Sequence, residues 1–384
     1  MIKIIRPLLI TGFFFSAHFA LVSYINSTTL SQYFPEKYIG LLFTVGSLLS
    51  ILLLSLFPSV LRKIGVKRAL LSLFSIAAGA LFVLGFLKIP LGIGTVFVLY
   101  FSLNASILYC LDIFIEHYST EENTGNIRGV YLAAVNSAWV ISPLIAGVLI
   151  SRFGYDIVYM IAAILFVPAG IAVYTSQKKF HDALYEKESF IHAIRLAFKN
   201  PPVRRILFLS FLLHFFFVWM VIYLPILLTK TMGIPWNKTG ILFTAMLLPF
   251  IIFQYPAGVL ADKRLGEKEL LIFGFLVAGI ATLVFAIHRV SFSFIQIAIV
   301  LFLTRVGASI IEIMCDTYFF KQITEKDSTL VSLYRSMMPF SYVIGPVLGS
   351  LYLLGGGSIT GIFVILGVMM LTAVPYTLLL KDTK

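Results

Sequence analysis

Between Leu301 and Phe320 the chain reads LFLTRVGASIIEIMCDTYFF, with Arg305, Glu312 and Asp316 set into an otherwise apolar stretch. Spacings of seven and four put all three along one stripe of an α-helix. The residues three and four positions from Arg305 are Leu301, Phe302, Ala308 and Ser309, so no acid on its own helix lies within a turn of the guanidinium. Its counterpart must come from another helix or from a ligand, and a guanidinium grips carboxylate or phosphate through paired hydrogen bonds. Glu312 and Asp316 stand one turn apart. Where water is scarce two such acids disfavour joint ionisation, which suits one of them to taking up and releasing a proton. His18 and His214 are further candidate proton carriers, and Asn26 and Asn104 supply neutral hydrogen-bonding groups. Each has a plain structural reading as well: an inter-helix salt bridge for Arg305, a hydrogen bond to a neighbouring helix for the histidines. Trp139, Trp219, Tyr24, Tyr223 and Gln254 are candidate cavity liners that equally suit packing.

The elements that must position these groups are membrane helices. Of 384 residues 60% are hydrophobic and 12% charged, about half the charged fraction of a soluble domain. Apolar runs of the length that crosses a bilayer, about 20 residues, recur twelve times, at 7–30, 38–60, 68–88, 92–117, 127–150, 156–175, 206–230, 238–260, 269–288, 292–319, 329–353 and 358–380. The first lacks a small-x-small cleavage site and is expected to remain as a helix. Cys110 and Cys315, the two cysteines, both fall inside spans, which leaves neither a disulfide framework nor a metal cluster. No metal or other cofactor is expected.

A net charge of +12 would suit nucleic acid, but its distribution points to the bilayer instead. With both termini on the cytoplasmic side, twenty-two lysines and arginines lie on inner segments, and only Lys37, Lys88, Arg152, Lys230, Lys238 and Arg289 on outer ones. That bias sets topology; nucleic acid is not expected as a partner.

The chain is internally duplicated. Gly40-Leu-Leu-Phe-Thr44 returns as Gly240-Ile-Leu-Phe-Thr244, Pro58 to Leu71 matches Ala257 to Leu271, Thr120-Glu121 matches Thr324-Glu325, and ISPLIAG from Ile141 matches IGPVLGS from Ile344. Four matches in order divide the chain into six-helix bundles at 1–175 and 206–384, as in many secondary transporters. The segment 176–205 is a cytoplasmic linker. Within it Phe190, Ile191, Ile194, Ala197 and Phe198 fall at helical spacing opposite His192, Arg195 and Lys199, which predicts an amphipathic helix lying on the membrane surface. The duplication also separates scaffold from chemistry. At an offset of 204 Asp316 pairs with Asp112, whereas Arg305 aligns with Phe101 and Glu312 with Leu108. The aspartate pair therefore reads as gate or framework, answering Arg128 and Arg335 at the starts of spans five and eleven. Arg305 and Glu312 read as substrate or ion chemistry.

GVLADKRLGEK, Gly258 to Lys268, resembles the loop between the second and third helices of each half in the major facilitator superfamily. In the first half the matching stretch has Pro58 in place of the glycine and Arg62 in place of the aspartate. Gly345-Pro346-x-x-Gly349 in span eleven, and Ser142-Pro143-x-x-Ala146-Gly147 in span five, resemble the glycine-proline motif of that family's drug/proton antiporters. The resemblance implies an all-α membrane fold of twelve transmembrane helices in two pseudo-symmetric six-helix bundles. Spans one, four, seven and ten would line a central cavity, and Asp262 with Lys263 would serve a cytoplasmic gate. Pro143, Gly147, Gly345, Pro346 and Gly349 would let helices pack closely. It further implies a proton-coupled secondary transporter of a small organic molecule, monomeric and in the cell membrane, with efflux as the direction that the antiporter motif suggests. The alternatives are an organic-anion facilitator or importer and a non-transporting receptor of the same fold. The chain has no G-x-x-x-x-G-K-[ST], no H-E-x-x-H and no Gly-x-Gly-Asp, so an enzyme is not expected.

Overall fold

The computed structural model describes residues 2–118, 124–175, 190–263, 265–288, 291–323 and 328–381. The described residues are almost wholly helical, and twelve helices are long and apolar enough to cross a membrane. The chain divides into two compact units, Met1–Tyr185 with Gly233–Ile241 and Glu186–Met232 with Leu242–Lys384.

In the first unit the helices are α1 (Ile2–Ser23), α2 (Asn26–Leu30), α3 (Glu36–Ile64), α4 (Val66–Phe86), α5 (Pro90–Tyr118), α6 (Thr124–Phe153), α7 (Tyr155–Ile164) and α8 (Phe166–Thr175). α1 packs on α6 and α8, α3 on α5, and α4 on both α5 and α7. The first membrane helix stops sooner than hydropathy suggests, at Ser23. After it comes the polar run Asn26 to Thr29, wholly buried. There Ser23 Oγ donates to Phe19 O, Thr28 Oγ1 to Ile25 O and Ser31 Oγ to Thr28 O. Short hydroxyl side chains that bond nearby carbonyls offer the backbone an alternative to continuing the helix.

The second unit holds α9 (Phe190–Lys199), α10 (Pro201–Ile226) running into a π-helical turn (Leu227–Thr231), α11 (Trp236–Ile252), α12 (Gln254–Lys263), α13 (Glu267–His288), α14 (Phe294–Lys321), α15 (Ser328–Arg335), α16 (Met337–Leu354) and α17 (Ile359–Thr377). The opening turns of α11, through Ile241, cluster with the first unit. α13 packs on α14 and α17, and α10 on α14, α16 and α17. α9 is the amphipathic linker helix that its spacing predicts, with Ala197 buried and Arg195 and Lys199 exposed. Asn200 caps α10 by accepting from the Val203 amide, and Pro201 and Pro202 occupy the first turn, where their missing N–H groups cost nothing.

Three spans are interrupted, at Leu165, Phe253 and Ser336, and one cause serves all of them. Pro168, Pro256 and Pro339 each stand three residues past the break. A proline lacks the N–H owed to the carbonyl four residues back and its ring collides with that carbonyl. Here those carbonyls belong to Ile164, Ile252 and Arg335, the last residues of α7, α11 and α15.

Candidate functional site

α14 is oriented by its contact with α13. A Cβ added to Gly307 would lie 2.5 Å from Ala278 N and 2.5 Å from Gly274 O, so the two backbones touch there and only glycine fits. At about 100° per residue, Arg305, Glu312 and Asp316 all point some 140–180° away from that contact. They face away from α13, Arg305 toward α10, Glu312 toward α12 and Asp316 toward α15.

Arg305 is 2% exposed. Its guanidinium carbon lies 5.1 Å from the ring centre of Phe216 and 5.4 Å from that of Phe217, both on α10. Ring faces attract a desolvated cation, by up to about 2 kcal/mol. Phe217 also meets the His214 ring edge-on at 6.1 Å and packs on Phe250 of α11 at 5.9 Å. Phe217 thus links the arginine to the histidine. His214 Nδ1 sits 2.7 Å from Ser210 O, a carbonyl that can only accept, so Nδ1 carries the hydrogen and Nε2 is the acceptor in the neutral ring.

Seven residues on, half-buried Glu312 accepts a hydrogen bond from Gln254 Nε2, 2.7 Å from its Oε2. Gln254 is the first residue of α12, so the break at Phe253 puts this amide at the carboxylate. Asp316 is held differently. Its Oδ1 accepts from the hydroxyl of Tyr334, the penultimate residue of α15, and the Tyr334 ring stacks on Phe319 at 4.2 Å. The sequence points to Arg335 for this aspartate; Arg335, exposed, acts on it electrostatically, and the residue before it supplies this hydrogen bond. α14 is also tied to α13 by the Lys321–Glu267 salt bridge.

In the first unit the polar candidates sit in neutral surroundings. His18 is wholly buried among Phe15, Phe19, Tyr100 and Phe166, the last at 4.2 Å between ring centres, and its Nε2 lies 3.2 Å from the Tyr100 hydroxyl. Asn104 donates to Tyr100 O at 2.9 Å. Asn26 Oδ1 accepts from the Tyr159 hydroxyl at 3.0 Å. Asp112, at the far end of α5, is exposed. The side chains of Arg128, Asp262 and Lys263 lie outside the described residues.

The glycine-proline motifs mark close approaches. A Cβ on Gly147 would come 3.0 Å from Gly240 Cα and 2.5 Å from Trp236 O, and Pro143 O would meet one on Gly240 at 2.5 Å. Beside that contact Trp236 Nε1 donates to the Tyr155 hydroxyl. In α16, Gly345 and Gly349 leave room for Trp219 and Tyr223 of α10, and Trp219 Nε1 donates to Gly345 O at 2.7 Å. Trp219 and Tyr223 therefore pack between helices. Residues that the sequence reading passes over are Phe216, Phe217, Tyr100, Phe166, Tyr159 and Tyr334. The one available signal was the run HFFF from His214 to Phe217, three rings next to a titratable group. Among the described residues no group of histidine, cysteine, aspartate and glutamate is arranged to hold a metal ion, and both cysteines are buried thiols.

The family model described as Major Facilitator Superfamily matches residues 8–243 and 208–384. A point variant of the nucleoside transporter NupG superposes with a TM-score of 0.78 over 97% of this chain and 98% of that one, at 14% identity. A bacterial homologue of the human lysosomal transporter Spinster, solved inward-facing and unoccupied, gives a TM-score of 0.74 over 98% and 94%, at 12% identity. No curated protein matches the chain.

Proposed function

The chain belongs to the major facilitator superfamily, and from that premise we propose that it is a proton-coupled secondary transporter of a small organic molecule that works by alternating access. The observation that carries this reading is the stripe on α14: a buried arginine over two phenylalanine rings, and a carboxyl held by the Gln254 amide on the same face. Arg305 is the anchor for an anionic group of the substrate. Glu312 exchanges the coupling proton as its surroundings gain and lose water, and the differential binding of substrate to its two forms is the coupling. His214, in contact with the same Phe217 ring, is the next group along. Asp316, Asp112, Arg128 and Arg335, with Asp262 and Lys263 of the loop motif, serve the cytoplasmic gate. The protein acts as a monomer in the cell membrane with both termini cytoplasmic, and an efflux direction agrees with the antiporter-like motifs.

A second reading, a facilitator or importer of an organic anion, is favoured by Arg305 alone, since a buried guanidinium asks for a carboxylate or phosphate whether or not protons move. Purified protein in liposomes separates the two. A thermal-shift screen against nucleosides, sugars, organic acids and antibiotics supplies a ligand, and its flux is then followed with and without an imposed pH gradient. Accumulation driven by the gradient is expected. Flux that ignores the gradient leaves the facilitator, and binding without flux leaves a receptor. Reporter fusions after Thr175 and Lys384 should both report cytoplasm; an external signal from either overturns the orientation.

A further inference from the structure

α9 does not lie flush on the second unit. Between it and the ends of three membrane helices is a groove of about 450 Å³, lined by Ala197 and Phe198 of α9, Leu207 and Phe211 of α10, Met337 of α16 and Tyr376 of α17. That volume falls within the range of small-ligand sites, about 300–1,000 Å³. Its walls are almost entirely hydrocarbon and aromatic. Phe198 and Phe208, at its margin, are 63% and 42% exposed.

The rim has the opposite character. Arg204 reaches back across the mouth, its Nη1 3.4 Å from Phe198 O and its guanidinium 5.9 Å from the Phe198 ring. Lys199, next to Phe198 in the chain, and Lys381, two residues past Leu379, are exposed, and Arg205 Nη1 donates to Leu379 O after the end of α17. Among the described residues of 190–211, 333–340 and 376–381 there is no carboxylate to offset these cations. The site lies where α10 begins and α17 ends, at the level where membrane helices meet the bilayer surface. It needs only that surface, on whichever side of the membrane.

We propose that this groove binds an anionic phospholipid, with an acyl chain between α9 and α10 and the headgroup phosphate on Arg204. An apolar slot under a cationic rim is the shape of that amphiphile and of no soluble anion. Basic residues at a membrane surface each attract an anionic headgroup by about 1 kcal/mol, and arginine adds directed hydrogen bonds to phosphate. The lipid would fill the space that α9 leaves against α10, α16 and α17, holding the linker helix to the start of α10, the helix that carries His214, Phe216 and Phe217.

The full chain, purified in detergent and stripped of lipid, tests this by its thermal unfolding midpoint. Dioctanoyl phosphatidylglycerol, dioctanoyl phosphatidylcholine and inorganic phosphate are the probes. Phosphatidylglycerol should raise the midpoint well above the effect of phosphatidylcholine, and phosphate should leave it unchanged. The double variant Arg204→Gln, Lys199→Gln alters exposed side chains only and should bring the phosphatidylglycerol shift down to the phosphatidylcholine level. Ala197→Trp, which fills the slot, should abolish the shift from both lipids. Equal shifts from both lipids with the wild-type chain, a shift from phosphate alone, or an undiminished preference in the double variant would each overturn the proposal.

Discussion

Phe101 of α5 and Arg305 of α14 occupy matching places in the two copies of the duplication, and their surroundings differ in kind. Phe101 packs its ring on Phe43 and Phe97, 5.3 and 5.8 Å between centres. Arg305 holds a cation over Phe216 and Phe217. Leu108 stands where Glu312 does. Only the aspartates recur in both copies, and Asp112 is exposed while Asp316 is half-buried against Tyr334. In the first unit the buried polar groups have neutral partners, His18 with Tyr100, Asn104 with a backbone carbonyl and Asn26 with Tyr159. The two copies share a scaffold and differ in charge at the positions of Arg305 and Glu312. An ionisable group in hydrocarbon costs roughly 2.5–3.5 kcal/mol or more, and it is on this asymmetry that the proposed substrate and proton chemistry is assigned to the second unit.

The sharpest way to break the contrast is to neutralise the second unit's acid. Glu312→Gln keeps size and hydrogen-bonding capacity and removes the exchangeable proton. Uphill accumulation should fall to background while downhill exchange stays measurable, whereas His18→Gln in the first unit should leave accumulation pH-driven. If Glu312→Gln still accumulates substrate with the wild-type pH dependence, Glu312 is not the coupling site, and His214 and His18 are next. Placing the second unit's charge into the first is the reciprocal test. Phe101→Arg puts a guanidinium among Phe43 and Phe97 with no change elsewhere, and should lower stability by about 3 kcal/mol, read as a drop in thermal midpoint and in folded yield. A variant as stable as the wild type would mean that the two positions are not distinguished by their surroundings.

How much of this contrast the sequence discloses depends on the kind of signal. Charge against an apolar background is conspicuous, so Arg305, Glu312 and Asp316 and their common stripe are legible from spacing alone. So are the twelve spans and the duplication. Phe216 and Phe217 are not, because an aromatic among apolar residues carries no mark of what its face touches. Gln254 stands out as polar, yet its role depends on a break at Phe253 that hydropathy does not register. The prolines behind the three breaks are visible, but Pro7, Pro143 and Pro346 sit inside helices that continue. A proline three residues past a break is therefore recognisable only once the break is seen. That Tyr334, one residue before Arg335, also bonds Asp316 is a detail at a helix end finer than periodicity can resolve.

A smaller effect sharpens the role of the second unit's cation. Arg305→Lys keeps the charge but replaces a flat, weakly hydrated group with a compact ammonium that cannot form a paired contact. It also fits the two rings less well. Affinity for anionic substrates should fall about 10- to 100-fold, equivalent to about 1.4–2.8 kcal/mol, measured by thermal shift or competition, with neutral ligands affected much less. An equal loss for charged and neutral ligands would make Arg305 a structural group and remove the substrate side of the contrast.

The smallest effect belongs to the first unit, where the polar pairs read as scaffold. Tyr159→Phe deletes the hydroxyl that donates to Asn26 Oδ1 at 3.0 Å and leaves the ring in place. Both residues are buried, at 2% and 4% exposure, so no water readily substitutes. Hydrogen bonds between membrane helices average about 0.6 kcal/mol, because the chain finds other partners when one is lost. Tyr159→Phe should therefore lower the unfolding midpoint slightly and leave the pH dependence of transport unchanged, as should Tyr100→Phe, which removes the hydroxyl facing His18 Nε2. The two readouts separate a scaffold from a proton path, since a scaffold bond moves stability alone. If either variant loses gradient-driven accumulation while its midpoint stays near wild type, the hydroxyl lies on the coupling route, and the first unit carries chemistry that its neutral partners conceal.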